Sequence, residues 1–304
     1  MRIWTRKATM RKTTACCVFC LFLSNAIAGE HPTIGLALGG GGANGLAHIE
    51  MLAVFDELGV RPDRIAGTSI GAIIGALYAS GKSAAEIRAL VARLVGQESD
   101  SWQQLFMERD IFRWIGFVDP ALGQGGLIRG DKFIAFLHDA IKVDTFEELA
   151  IPLQVIATDL NRQEQVLFDV GALSPALEAS MAIPGLFTPV TIDKRKLVDG
   201  GLVNPVPFDA LFDTCDLVVA VNVIGRIEPG DEPSFMDSTF IAVRIFQKSI
   251  LREKLKQRSP EILIDAGIKN IRALEFFKSD QVYKQAQPAA QQLRTELRKA
   301  LSID

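Results

Sequence analysis

The sequence predicts an α/β fold built on a mainly parallel, helix-covered sheet. Two observations carry that expectation. From Thr33 the chain runs strand, glycine loop, helix, strand, sharp turn, helix, the order in which such a sheet begins. Apolar runs that read as buried strands return at Leu153 to Asp159 and Leu217 to Val223, with no internal repeat or linker to divide the chain. With 304 residues and 48% hydrophobic content, the chain can bury the core of one large domain.

The first 28 residues are set aside from the fold. Five basic residues (Arg2, Arg6, Lys7, Arg11, Lys12) precede the apolar run Ala15 to Leu23, and Ala26-Ile27-Ala28 follows at once. This is the pattern of a secretory signal peptide cut after Ala28, and the run is shorter than the ~18 residues that a membrane-spanning helix needs. Residues 29–304 are then one domain with a helical C-terminal extension, expected to be exported to the periplasm, the envelope or the medium. Removing the segment takes five of 33 Lys/Arg and none of 36 Asp/Glu, so the formal charge moves from −3 to −8. An acidic chain argues against a nucleic-acid partner. Three of the four cysteines leave too, so Cys215 has no intramolecular disulfide partner and reads as a small buried hydrophobe.

The elements follow in order. Thr33 to Leu38 is a buried strand, followed by Gly39 to Gly42 and a helix with Leu46, Ile49, Leu52, Ala53 and Phe55 at helical spacing, ended by Gly59. Arg64 to Ala66 is a second strand, Ala72 to Tyr78 a small-residue helix, and Ser83 with Glu86 a capping box for the next. Trp102 to Val118 interleaves aromatic and charged residues, as a folded core segment or as a lid that meets lipid. Asp131 to Ile141 is an amphipathic helix, Thr145 to Glu148 a short turn, and Gln165 to Phe168 a strand beside Leu153 to Asp159. Ser174-Pro175 predicts an N-cap and first helical residue for a helix reaching Ile183-Pro184-Gly185. Thr188 to Ile192 and Lys196 to Val198 are strands, and Pro229 to Pro233 is an acidic loop. Beyond it, Phe240, Ile241, Ile245, Phe246, Leu251 and Leu255 predict one apolar helix face, and Ile262 to Ile264 a late strand.

Chemistry concentrates at three glycine-bounded turns. Gly67-Thr68-Ser69-Ile70-Gly71 is a GxSxG pattern between a strand and a helix, where small residues on both sides of a strained serine let the chain turn and present the hydroxyl as a nucleophile. Gly40-Gly41-Gly42-Ala43-Asn44-Gly45 satisfies GxGxxG, but the second strand ends in Ala66-Gly67-Thr68-Ser69 without the acid that a dinucleotide ribose requires. A P-loop fails as well, since no Lys-Ser or Lys-Thr follows Gly45. What remains is a row of backbone N–H groups at a helix start, suited to the oxyanion of a tetrahedral intermediate. A Ser-Asp-His triad is hard to build, because His31, His48 and His138 all precede Asp199. His48, one turn into its helix, reads as a structural histidine. Asp199, at the end of a strand and followed by Gly200 and Gly201, is the candidate base.

These three motifs, in this order, resemble the patatin-like phospholipase family. Ala157-Thr158-Asp159-Leu160 and Ala179 to Gly185 resemble its bacterial branch, and the resemblance spans about Thr33 to Val223. It implies a three-layer α/β/α patatin-like fold and a Ser-Asp dyad that hydrolyses lipid carboxylic esters without histidine. By that resemblance Ser69 is the nucleophile, Asp199 the base, and the amides of Gly40, Gly41, Gly42 and Ala43 the oxyanion hole, with Gly45, Gly67, Gly71, Gly200 and Gly201 completing the motifs. Where the family commonly carries arginine this chain has Asn44, which offers only neutral donors. A lipid or phospholipid substrate and transient contact with a membrane surface are implied. No cofactor and no metal are expected, the pairs Asp56-Glu57 and Glu147-Glu148 reading as solvated helix faces. Two other uses of the same site stay open, a weakly catalytic lipid-binding envelope protein and acyl transfer to an alcohol.

Overall fold

The structure is a computed structural model that describes residues 32–95, 119–120, 128–129, 131–228 and 235–303. The N-terminal segment with His31, the aromatic stretch Trp102 to Val118 and the loop Pro229 to Pro233 lie outside the described residues.

Strands β1 (Ile34–Leu38), β2 (Arg64–Thr68), β5 (Leu153–Asp159), β9 (Leu217–Asn222) and β10 (Ile262–Asp265) run parallel in the order β10-β9-β1-β2-β5. Strands β6 (Glu164–Phe168), β7 (Val190–Ile192) and β8 (Arg195–Asp199) join antiparallel. A separate two-residue pair, β3 (Asp119–Pro120) and β4 (Ile128–Arg129), stands off the sheet. One edge of β5 is taken by β6. On the other, β2 pairs as far as Thr68↔Ile156 and β8 takes over from Asp199↔Ala157. The C-terminal ends of β2 and β8 therefore meet head to head, which brings the residues just after each strand together.

Side chains alternate across the sheet as strand geometry requires. Leu36, Leu38, Ile65, Val219 and Val221 face helices α1 (His48–Leu58), α2 (Ile70–Ala79), α3 (Ala84–Val95) and α7 (Ser279–Leu301), with α4 (Asp131–Ile141) and the first turns of α5 (Leu173–Met181) on the same core. Ala37, Ala66, Val218 and Ala220 face the other way. These small residues let Val206, Phe208, Leu211 and helix α6 (Phe235–Gln257) pack close, giving the third layer.

Three local expectations need correction. Helix α5 starts at Leu173 with Ala172 as its N-cap, two residues before Ser174. Pro175 is then the third helical residue, tolerated there because first-turn amides have no intrahelical partner. The six apolar residues of α6 do not share a face: Leu251 is buried, whereas Ile245 and Phe246 are 57% and 64% exposed. At ~100° per residue, Phe246 and Leu255 stand on opposite sides of the helix. Cys215 is half-buried rather than buried, its sulfur against Gly35.

Candidate active site

The site sits at the C-terminal ends of β1, β2 and β8, where open α/β sheets place their crevices. Ser69 caps α2 with φ 56° and ψ −125°, a strained conformation for a non-glycine residue. The turn closes because Gly67 and Gly71 have no side chains: a Cβ on Gly67 would lie 2.5 Å from Ala72 Cα, and one on Gly71 would strike the Leu38 carbonyl. Serine is held there by its neighbours. Its N–H donates to Ser180 Oγ (2.9 Å), whose hydroxyl donates to the Ile156 carbonyl (2.6 Å), and Thr68 Oγ1 donates to the Asn204 carbonyl (2.8 Å).

Asp199 is fixed on every side. Its N–H donates to the Ala182 carbonyl (3.0 Å), and its own carbonyl accepts from Thr158 Oγ1 (2.8 Å). Of the carboxylate, Oδ1 accepts the Gly201 N–H (2.7 Å) and Oδ2 accepts the Ser69 hydroxyl (2.6 Å). Both residues are only 7% exposed. Burial pushes the carboxyl up to about 6, against the pull of the two donors from Ser69 and Gly201. A carboxylate in that range is still ionised at neutral pH and is a stronger base than an exposed one.

The glycine loop approaches Ser69 directly, since a Cβ on Gly40 would lie 3.3 Å from Ser69 Cβ. Within it the amides divide. The Gly40 N–H donates to the Pro205 carbonyl (2.9 Å) and the Ala43 N–H to the Ala273 carbonyl (2.7 Å), whereas the N–H groups of Gly41 and Gly42 have no partner among the described residues. Asn44 is 1% exposed, and neither its side-chain oxygen nor its nitrogen has a hydrogen-bond partner among the described residues.

His48 is fully buried and donates from Nε2 to the Gly39 carbonyl (2.8 Å). Burial pushes it down to about 4, so it is neutral and structural. His138 is exposed and bonds Asp144 (2.7 Å). The carboxylate pairs are used by the fold. Asp56 accepts from Tyr78 and the Ala84 N–H, Glu57 pairs with Arg294, and Glu147 accepts the Gly171 N–H. Among the described residues no group of three His, Cys, Asp or Glu side chains comes together as a metal site.

The sequence reading did not assign Ser180, Thr158, Gln247 or Arg244. Ser180 and Thr158 do lie in the stretches that resemble the bacterial branch; the two on α6 carry no motif.

Residues 36–212 match the family described as patatin-like phospholipase. The chain is 34% identical over 195 residues to an uncharacterized NTE family protein of Mycobacterium tuberculosis, covering 64% of this chain and 50% of that one. It is 27% identical over 289 residues to the lysophospholipase NTE1 of Candida glabrata, 87% of this chain and 16% of that one. The chain thus spans about half the length of the mycobacterial relative and a small part of the yeast one. Among solved structures, VipD from Legionella pneumophila shares the fold with a TM-score of 0.52 at 14% identity, covering 88% of this chain and 67% of that chain.

Proposed function

The chain belongs to the patatin-like phospholipase family, and from that premise we propose that it is a serine hydrolase of lipid carboxylic esters. The observation that carries the reading is the 2.6 Å hydrogen bond from Ser69 Oγ, on its strained turn, to a buried Asp199 carboxylate. In the first step Oγ attacks the ester carbonyl as its proton passes to Asp199 Oδ2. Within the glycine loop we assign the tetrahedral oxyanion to the amides of Gly41 and Gly42, a reading supported by their having no partner among the described residues while those of Gly40 and Ala43 are bonded. Asp199 then returns the proton to the leaving alcohol, and an acyl group stays on Ser69. Water deprotonated by Asp199 releases the fatty acid and restores the serine.

The experiment is product analysis on a panel of phospholipids, lysophospholipids and acylglycerols with wild type and Ser69→Ala side by side. Free fatty acid from wild type alone supports the reading. Binding without product supports a lipid-binding protein, and an acylated alcohol in place of fatty acid supports acyl transfer.

Lipid esters reside in surfaces, so the reading includes transient membrane contact. Ile245 and Phe246, exposed on the outer face of α6 beside the cation Lys248, support it. Phe246→Ser is expected to slow hydrolysis of ester in vesicles several-fold and leave monomeric ester unchanged. Equal rates on vesicles for both proteins would remove this face from the account.

Export is also part of the proposal, resting on the basic and apolar segments before Ala28. Protein recovered from the envelope or medium should begin at Gly29 on N-terminal sequencing. Recovery of chains that begin at Met1 would contradict it.

A further inference from the structure

Helix α6 passes beside the turn that follows Asp199. At its C-terminal half, Lys254 Nζ bonds the Val206 carbonyl (2.9 Å), Asp209 Oδ1 (2.5 Å) and Asn204, fixing the helix on the segment that follows the Asp199 turn. Two turns earlier, Gln247 lies against that turn itself: a Cβ on Gly201 would come within 2.5 Å of Gln247 Nε2. A further turn back, Arg244 Nη2 donates to the Ile271 carbonyl (2.9 Å), two residues from Ala273, whose carbonyl holds the glycine loop through Ala43. One side of α6 therefore spans from the base turn, at Gln247, to the wall of the oxyanion loop, at Arg244.

Arg244 is incompletely used by the fold. Its Nη1 is shielded from solvent and has no hydrogen-bond partner among the described residues. A guanidinium stays charged, and a buried donor left unpaired is costly, so such a group calls for an explanation. The surrounding charges do not remove the need. Asp237 and Glu275 are near enough to act on Arg244. Asp237 is also bound to Arg272 (3.1 Å), and Glu275 to Arg272 (3.8 Å) and Lys278 (2.8 Å). Among the described residues, three cations share two carboxylates there, one positive charge more than the two carboxylates supply. Asn44, uncharged, adds none from the loop side.

We propose that Arg244 is the anion subsite of this active site and takes the phosphodiester of a phospholipid or lysophospholipid whose ester is presented to Ser69. The assignment rests on the hydrolase reading above, and it specifies the substrate: a phosphate-bearing lipid in preference to a neutral acylglycerol. Guanidinium suits the task because Nη1 is left unspent while Nη2 keeps its bond to Ile271, so a phosphate oxygen that displaces the packing over Nη1 gains a charged donor.

The test compares wild type, Arg244→Gln and Arg244→Lys, all confirmed folded by thermal melting, on palmitoyl lysophosphatidylcholine and on palmitoylglycerol. Hydrogen bonds to charged groups set the scale. Arg244→Gln should lower kcat/KM on the lysophospholipid about 10- to 100-fold, mainly through KM, and change the neutral ester less than about twofold. Arg244→Lys, which keeps the charge and loses the fork, should fall between, and it carries the test if Arg244→Gln does not fold. Binding of an ether-linked lysophosphatidylcholine, which has no ester to cut, reads the subsite without catalysis and should weaken by the same factor. Unchanged ether-lipid binding, or an equal loss on both esters, overturns the assignment. Inorganic phosphate that binds as tightly as the ether lipid also overturns it, in favour of a free-phosphate site. Arg244-dependent binding by a wild type that cuts neither ester leaves the subsite standing and removes the hydrolase reading.

Discussion

Asp199→Asn is expected to lower kcat by about 10² to 10⁴ and at the same time to make the protein harder to melt. The loss follows from basicity. Asparagine keeps the shape and can still accept the Gly201 N–H through Oδ1, but it cannot take the proton from Ser69 Oγ. The stability gain follows from linkage. Burial holds the folded carboxyl at about 6 against 3.8 for an ordinary aspartate, so between those values the folded chain binds more protons than the unfolded one. Stability then falls as pH rises through that window, and above about 6 the full penalty of two pKa units, roughly 3 kcal/mol, is present. Asparagine escapes it. The variant should melt roughly 5 °C higher than wild type at pH 8, with the difference vanishing near pH 4. Retained turnover would mean another base, and a lower melting temperature at pH 8 would mean that the carboxylate stabilises the fold.

The pH profile alone does not identify that base. A carboxylate at about 6 lies within half a unit of an unperturbed histidine, so the ascending limb looks the same for either. Variants separate them: folded His48→Gln and His138→Gln should retain turnover. Neither ring bonds to Ser69 or Asp199, and the ring N–H of His48 is committed to Gly39.

Ser69→Ala is expected to have the largest effect, a loss of about 10⁴ or more in kcat. The glycine loop and Asp199 stay in place, but no atom remains to accept the acyl group. In the proposed mechanism both residues act in one step, so their losses should not add. A Ser69→Ala/Asp199→Asn double variant should be no slower than Ser69→Ala alone. A double variant slower by the product of the two single losses would mean that each residue serves a separate reaction.

How far the sequence reached depends on the range of the interactions. The strands, the Ser83-Glu86 box and the three glycine turns are written locally, in apolar runs and in residues that only a tight turn requires. The pairing of Ser69 with Asp199 was legible only through the joint resemblance of motifs 130 residues apart. What brings them together is the hand-over from β2 to β8 along β5, a feature of register that no single strand reveals. Ser180 and Thr158 have the same long-range character, since their bonds run to residues far along the chain. The outer face of α6 misled the pattern reading because Phe246 and Leu255 are both apolar while only one side of the helix meets the core. Arg244 was illegible for a related reason: an unpartnered nitrogen is defined by what fails to surround it.

The central claim is that Ser69 is a nucleophile activated by Asp199. Reaction with a fluorophosphonate, followed by intact mass and peptide mapping, tests it most directly. Wild type should gain one phosphonyl group, on the peptide that carries Ser69, while Asp199→Asn labels about 10² or more times slower and Ser69→Ala not at all. Labelling at another residue, or an Asp199→Asn variant that labels at the wild-type rate, would contradict the account.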